Sequence, residues 1–133
     1  MERTISISSQ LANINKVRSF VEEVYKDFTL DMNTFNQVFL GISEAVNNAI
    51  QHGNRLDPEK WVFIRMYLLG KQLQIEVEDE GDGFCETVLF DPTTPENLKR
   101  EHGRGIFIMK QLAEEVVFKE GGRKVFILFT VSE

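Results

Sequence analysis

The sequence predicts an α+β two-layer sandwich, a mixed, mostly antiparallel sheet covered on one face by helices. Three observations lead there. Along the chain the spacing of apolar residues switches from alternation to three- and four-residue steps and back again. The resulting order is strand, helix, helix, strand, strand, loop, helix, strand, strand, so strands come in neighbouring pairs rather than each followed by a helix. No repeat, low-complexity tract or linker divides the 133 residues, which are 42% hydrophobic and 27% charged. A chain of that length and composition buries a core as one domain, here residues 1–133.

The elements follow in order. Thr4 to Ser8 alternates apolar and polar, a short strand with Ile5 and Ile7 on one face. Ser9 offers a helix cap, and Leu11, Ile14, Val17, Val21, Val24 and Phe28 form the apolar stripe behind it. Asp31 caps a second helix whose stripe runs Phe35, Val38, Phe39, Ile42, Val46, Ala49 and Ile50 and ends near Gly53. Asn54 to Lys60, with Asp57 and Pro58, is a turn. Trp61 to Leu69 and Leu73 to Asp79 form a hairpin around Gly70-Lys71-Gln72. Asp79 to His102 is rich in Gly, Asp, Pro and Thr and reads as a long functional loop. Gly105 opens a short helix buried through Ile106, Ile108, Met109 and Leu112. Val116 to Lys119 and Lys124 to Val131 are closing strands joined through Gly121-Gly122.

Charge and cysteine content exclude several functions. Fifteen basic residues against twenty-one acidic ones, a net charge of −6, do not make the basic stripe that nucleic acid requires. No apolar run approaches a membrane span, and the N-terminus shows no secretion signal. Cys85 is alone, which excludes an internal disulfide and a cysteine-built zinc site and fits a reducing, cytoplasmic setting.

Three stretches carry chemistry. From Met32 to Asn54 the only formally charged side chain is Glu44, and no Lys or Arg stands three or four residues away to pair with it. Glu44 and Asn48 lie one helical turn apart, roughly opposite the apolar stripe. Two readings fit: a short-polar face packed on another element, or a carboxylate and an amide oxygen aimed into one pocket, the ligand type that Mg²⁺ takes. Asp79-Glu80-Gly81-Asp82-Gly83-Phe84 is either an acidic surface turn or a place where a ligand approaches the main chain. His102-Gly103-Arg104-Gly105-Ile106-Phe107 is either a plain glycine-containing helix start or one that presents free N–H groups to phosphate. Ile108 stands where a dinucleotide fingerprint needs its third glycine, and there is no Gly-Lys-Ser/Thr, so neither a Rossmann motif nor a P-loop is present. His52 and His102 have no acidic-His spacing around them and read as helix-end and lid residues.

Taken together, the Glu44, Asn48, His52-Gly53 helix, then Asp-x-Gly-x-Gly at 79 to 83, then Gly-x-Gly at 103 to 105 resemble the Bergerat-type ATP-binding fold of DNA gyrase, the heat-shock chaperone ATPase, histidine kinases and mismatch-repair ATPases. Within that superfamily, Ile42-Ser43-Glu44-Ala45-Val46-Asn47-Asn48-Ala49-Ile50-Gln51-His52-Gly53 is similar to the helix of the anti-sigma-factor serine/threonine kinases. The short lid from Phe90-Asp91-Pro92 to Glu96 and Gly103-Arg104-Gly105-Ile106-Phe107-Ile108-Met109 match the same subfamily.

The resemblance implies one histidine-kinase-like ATPase domain that uses ATP and Mg²⁺. By it, Asn48 supplies an oxygen to Mg²⁺, and Glu44 is the base or orienting group for the attacking hydroxyl. Asp79 accepts from the adenine amino group, and Gly81 and Gly83 leave room for the base and the lid. His52 belongs to the binding helix end. Gly103 and Gly105 bring backbone N–H groups to the phosphates, and either Arg100 or Arg104 neutralises charge at the terminal phosphate. The family often has Gly-Thr-x-Val entering the last strand, where this chain has Gly122-Arg123-Lys124-Val125. On that comparison Arg123 is a surface residue and a neighbouring strand supplies the adenine contact. The implied function is an ATP-dependent kinase that phosphorylates a small anti-sigma-factor antagonist on Ser or Thr and sequesters a sigma factor. Homodimers are common in that family. The alternative is a nucleotide-gated binding module without kinase activity, whose lid exposes or hides a partner surface.

Overall fold

A computed structural model describes residues 1–81 and 97–132 of the chain. The strands are β1 (Glu2–Ser8), β2 (Trp61–Leu69), β3 (Gln72–Glu78), β4 (Glu115–Lys119) and β5 (Lys124–Thr130), and the helices are α1 (Ile14–Asp27), α2 (Phe35–Asn48) and α3 (Asn97–Leu112). The sheet order is β1-β2-β3-β5-β4. All four pairings are antiparallel, which narrows the expected mixed sheet. The β2–β3 hairpin lies where alternation placed it, with Leu69 paired to Gln72 around the positive φ of Gly70.

Strand alternation sorts the two faces of the sheet. Val62, Ile64 and Met66 of β2, Leu73, Ile75 and Val77 of β3, and Val125, Ile127 and Phe129 of β5 point inward and are buried. They meet Val17, Phe20, Val21 and Val24 of α1, Val38, Ile42 and Val46 of α2, and Ile106 and Met109 of α3 in one core. α2 comes closest to the sheet at Gly41, where a Cβ would stand 2.7 Å from the Phe129 ring. The outer face carries Trp61, Phe63 and Leu69, all exposed.

The sequence reading needs correction at the start of α1. Ser9 does not cap it. The Ser9 hydroxyl donates to the Lys60 carbonyl at 2.7 Å and accepts from Asn54 Nδ2 at 2.7 Å. The helix opens instead through a 3₁₀ turn, Leu11–Asn13, with Asn13 Nδ2 donating to the Ser8 carbonyl. Leu11, on that turn rather than on α1, is exposed. Asp31 does cap as expected, its carboxylate accepting from the Asn33 N–H at 2.8 Å ahead of α2.

A larger correction concerns α3. It begins at Asn97, not at Gly105, so Gly103 and Gly105 lie inside the helix rather than ahead of it. Helix propensity reads glycine as a breaker, but here packing overrides it. α3 lies along α2, tied near its end by Gln37 Nε2 donating to the Leu112 carbonyl at 2.5 Å. At Gly105 a Cβ would stand 2.8 Å from Glu44 Oε2 and 3.5 Å from Asn48 Oδ1, so only glycine allows this approach without displacing Glu44.

Candidate functional site

α2 does not end in an ordinary turn. Its last residues widen into a π-helical turn, Ala49–Gly53, in which the Asn54 N–H donates to the Ala49 carbonyl at 2.8 Å, five residues back. Arg55 and Leu56 then take positive φ and turn the chain away. The wide turn carries half-buried His52 and presses Gly53 against the end of β3.

Asp79 follows β3 there and is 5% exposed. Its N–H donates to the Arg123 carbonyl at 3.0 Å, and its Oδ1 accepts from the Gly81 N–H at 2.8 Å. Burial pushes its carboxyl up to about 6, partly offset by the Gly81 hydrogen bond and the neighbouring Arg123 charge. Two glycines make the fit. A Cβ on Gly53 would overlap the Asp79 carboxylate, and one on Gly81 would overlap the Gly53 carbonyl.

Buried Asn54 holds this junction together. Its Nδ2 donates to Ser9 Oγ at 2.7 Å and to the Trp61 carbonyl at 2.9 Å, and its Oδ1 accepts from the Glu80 N–H at 2.8 Å. The Glu80 carboxylate in turn accepts from the Trp61 N–H at 2.6 Å. One side chain therefore joins the end of α2, the start of β2 and the Asp79-Glu80-Gly81 corner. Sequence reasoning passed over Asn54 as a turn residue and had Gly53 only as the end of the motif-bearing helix, because their contacts with the Asp79 corner are not local.

Asp79 closes one end of a small cavity between α2, α3 and the sheet. Its walls are apolar at Ala45, Ala49, Val77, Met109, Phe118 and Val125, and Asn48, Gly122 and Arg123 complete them. The cavity is only ≈ 10 Å³, against a few hundred Å³ for typical ligand pockets. Arg123 is a surface residue as expected, its side chain 43% exposed, but it also forms part of the wall of this cavity. Its Nε is buried with no hydrogen-bond partner among the described residues, while its outer nitrogen reaches Glu120 Oε2 at 3.6 Å.

Asn48 lines the same cavity, and Glu44 stands one turn earlier on α2, both under Gly105 of α3. Burial alone pushes the Glu44 carboxyl upward, since no cation pairs with it among the described residues. Asn48 Nδ2 is buried without a partner there, a group that costs about 1–3 kcal/mol when left so. The described residues hold no cluster of three or more His, Cys, Asp or Glu side chains for a metal. The donor set, one amide oxygen with one carboxylate a turn away, fits Mg²⁺ bound mainly through phosphates and water.

The structure thus places Asn48 and Asp79 on one cavity, with Glu44 and Gly105 against Asn48, Gly81 against Asp79 and His52 at the adjoining helix end. Arg104 is exposed on α3 beside Gly105. Gly83 and the lid from Phe90 to Glu96 lie outside the described residues, as do the side chains of Arg100 and His102.

Comparison with known proteins gives the chain's family. Residues 7–129 match the family described as histidine kinase-like ATPase domain. An anti-sigma F factor of Anoxybacillus flavithermus is 35% identical over 105 residues, covering 75% of this chain and 67% of the relative. The serine-protein kinase RsbW of Bacillus subtilis is 34% identical over 87 residues, covering 58% of this chain and 52% of the relative. A crystal structure of RsbU and RsbW domains from Mycobacterium tuberculosis superposes with a TM-score of 0.70 at 16% identity, over 98% of this chain and 32% of that one, a likeness of fold. The chain belongs to the histidine kinase-like ATPase family, in its anti-sigma-factor serine kinase branch.

Proposed function

We propose that this chain is an ATP-dependent protein serine/threonine kinase that acts as an anti-sigma factor. Its substrate is a small antagonist protein, phosphorylated on Ser or Thr, and its other partner is a sigma factor. The observation that carries the proposal is that Asp79 and Asn48 line one largely apolar cavity, with Glu44 one helical turn before Asn48. Apolar walls with one buried carboxylate at the end, the place Asp79 has, suit a purine once the ≈ 10 Å³ space is widened by movement of α3.

The role assigned to each residue is supported by its surroundings. Asp79 keeps one oxygen on the Gly81 N–H, leaving the other to accept from the base amino group. Asn48 would hold Mg²⁺ through its amide oxygen, and the ion, when bound, neutralises phosphate charge. Glu44 takes the proton of the incoming hydroxyl. Its raised pKa suits that task, since a base works best when its pKa approaches the working pH. Gly103 and Gly105 reach phosphates only if α3 unwinds ahead of Gly105, and two glycines lower the cost of doing so by roughly 1 kcal/mol each. Met109 of α3 lines the cavity, so a shift of the rest of α3 away from the sheet would enlarge it. Arg100 and Arg104 lie on this stretch of α3 and would move with it toward the terminal phosphate, and Gly83 lies two residues beyond Gly81 on the lid side. His52 fixes the end of the binding helix.

The reading carries with it a cytoplasmic location, in keeping with a chain whose described residues include no helix long and apolar enough to cross a membrane. It also carries pairing of two copies, supported by the exposed Trp61, Phe63 and Leu69 on the bare sheet face. The net charge of −6 speaks against nucleic acid as a partner. The test is transfer of label from γ-labelled ATP to a candidate antagonist. Glu44→Ala should abolish transfer while ATP binding persists, and undiminished transfer would remove Glu44 from the base role.

A further inference from the structure

Asp79 and Arg123 both line the cavity, and only Asp79 has been given a role. Asp79 accepts. Arg123, which lines the same wall, can only donate. Their main chains are joined, the Asp79 N–H donating to the Arg123 carbonyl at 3.0 Å. The outer nitrogen of the guanidinium reaches Glu120 at 3.6 Å and the side chain is 43% exposed, while Nε is buried and without a partner among the described residues. A buried N–H of this kind is expensive unless something accepts from it.

Resting on the reading of this cavity as the nucleotide pocket, we propose that Arg123 is a base-reading residue, its Nε–H donating to a ring nitrogen of the purine whose amino group Asp79 accepts. The chemistry of the base supports the pairing. Adenine presents its amino donor flanked by two acceptors, N1 and N7, so a carboxylate and an adjacent N–H match either edge. A neutral hydroxyl at this position would make a weaker contact than a guanidinium, since hydrogen bonds to charged groups are about twice as strong as neutral ones. The Arg123 charge also lies close enough to Asp79 to favour its ionised form. Specificity for a purine with an amino group beside a ring nitrogen then comes from two side chains of this chain, one on each of two adjoining strand ends.

The test is calorimetric titration of the full chain with ATP, 1-deaza-ATP and 7-deaza-ATP, each with Mg²⁺, for the wild type, Arg123→Met and Asp79→Asn. The wild type should bind one of the two deaza analogues about tenfold or more weaker than ATP, the scale of one lost charge-assisted hydrogen bond. Arg123→Met keeps the length and apolar stem without a donor. It should bind ATP about tenfold weaker and no longer distinguish ATP from that analogue. Arg123→Gln, which restores a neutral donor, should recover part of the difference. If Arg123→Met binds ATP as the wild type does, or keeps the full discrimination, Arg123 does not read the base. Equal binding of all three nucleotides by the wild type overturns the assignment without any variant. Failure of the pocket itself looks different: ATP binding absent in the wild type, or unchanged in Asp79→Asn, removes the site and this assignment together.

Discussion

The buried carboxylate at the end of the cavity makes the protein less stable than it need be, and the amount can be worked out. Asp79 titrates at 3.8 in its ordinary state and at about 6 in the fold, chiefly because burial penalises its charge. Below the lower value both folded and unfolded chains carry the proton, and stability is indifferent to it. Between the two values the unfolded chain releases its proton while the folded chain keeps it, so stability falls as pH rises through this window. At about 1.36 kcal/mol for each pH unit, the loss complete above the upper value is about 3 kcal/mol. Asp79→Asn removes it. The amide oxygen can keep the Gly81 N–H bond, whereas the new NH₂ costs about 1 kcal/mol or more if it finds no partner. The net expectation is a variant more stable by about 1–2 kcal/mol at pH 7.5 and about equal to or below the wild type near pH 4. Urea unfolding of both proteins at steps from pH 4 to 8 reads this directly, since the difference cancels every other titrating group. The same variant should lose nucleotide binding. A difference that stays flat with pH, or a variant less stable at pH 7.5, would refute the claim that burial of this carboxylate costs stability.

Other consequences are equally concrete. Transfer should rise with pH as Glu44 loses its proton, with an inflection above the usual carboxylate value of 4.5, because burial holds its pKa up; a pH–rate profile with no such inflection contradicts Glu44 as the base. Asn54→Ala removes hydrogen bonds to Ser9, Trp61 and Glu80 at once and should cost about 2–4 kcal/mol in a denaturant titration, where a loss below about 0.5 kcal/mol would mean the junction holds without it. Gly81→Ala sets a Cβ onto the Gly53 carbonyl, which is backbone and cannot rotate aside, so thermal unfolding should show a loss of about 1–3 kcal/mol. A neutral result there would show the corner to be looser than described.

How much of this was legible in the sequence depends on whether the signal was local. The β2–β3 hairpin and the α2 stripe were legible because period and turn residues lie within a few positions of one another. So was the Glu44–Asn48 face, since an unpaired carboxylate in a polar but otherwise uncharged helix is a departure that shows without a structure. The start of α3 was not legible. Gly103 and Gly105 read as a break, while in the fold Gly105 is what allows α3 to approach Glu44. Ser9 has the composition of a cap but spends its hydroxyl on Lys60 and Asn54, partners about fifty positions away. Gly53 and Gly81 matter because they touch each other and Asp79, a relation through space. Arg123 could be seen to depart from the family pattern, but its buried Nε could not be read from position alone.

The central claim is that the cavity ending at Asp79 is a nucleotide pocket. Calorimetric titration of the wild type with ATP and Mg²⁺, beside Asp79→Asn and Glu44→Ala, tests it most directly. The account predicts saturable binding by the wild type, binding retained by Glu44→Ala, and binding lost in Asp79→Asn even though that variant is the more stable protein at pH 7.5. Absence of binding by the wild type, or equal binding by Asp79→Asn, would contradict it.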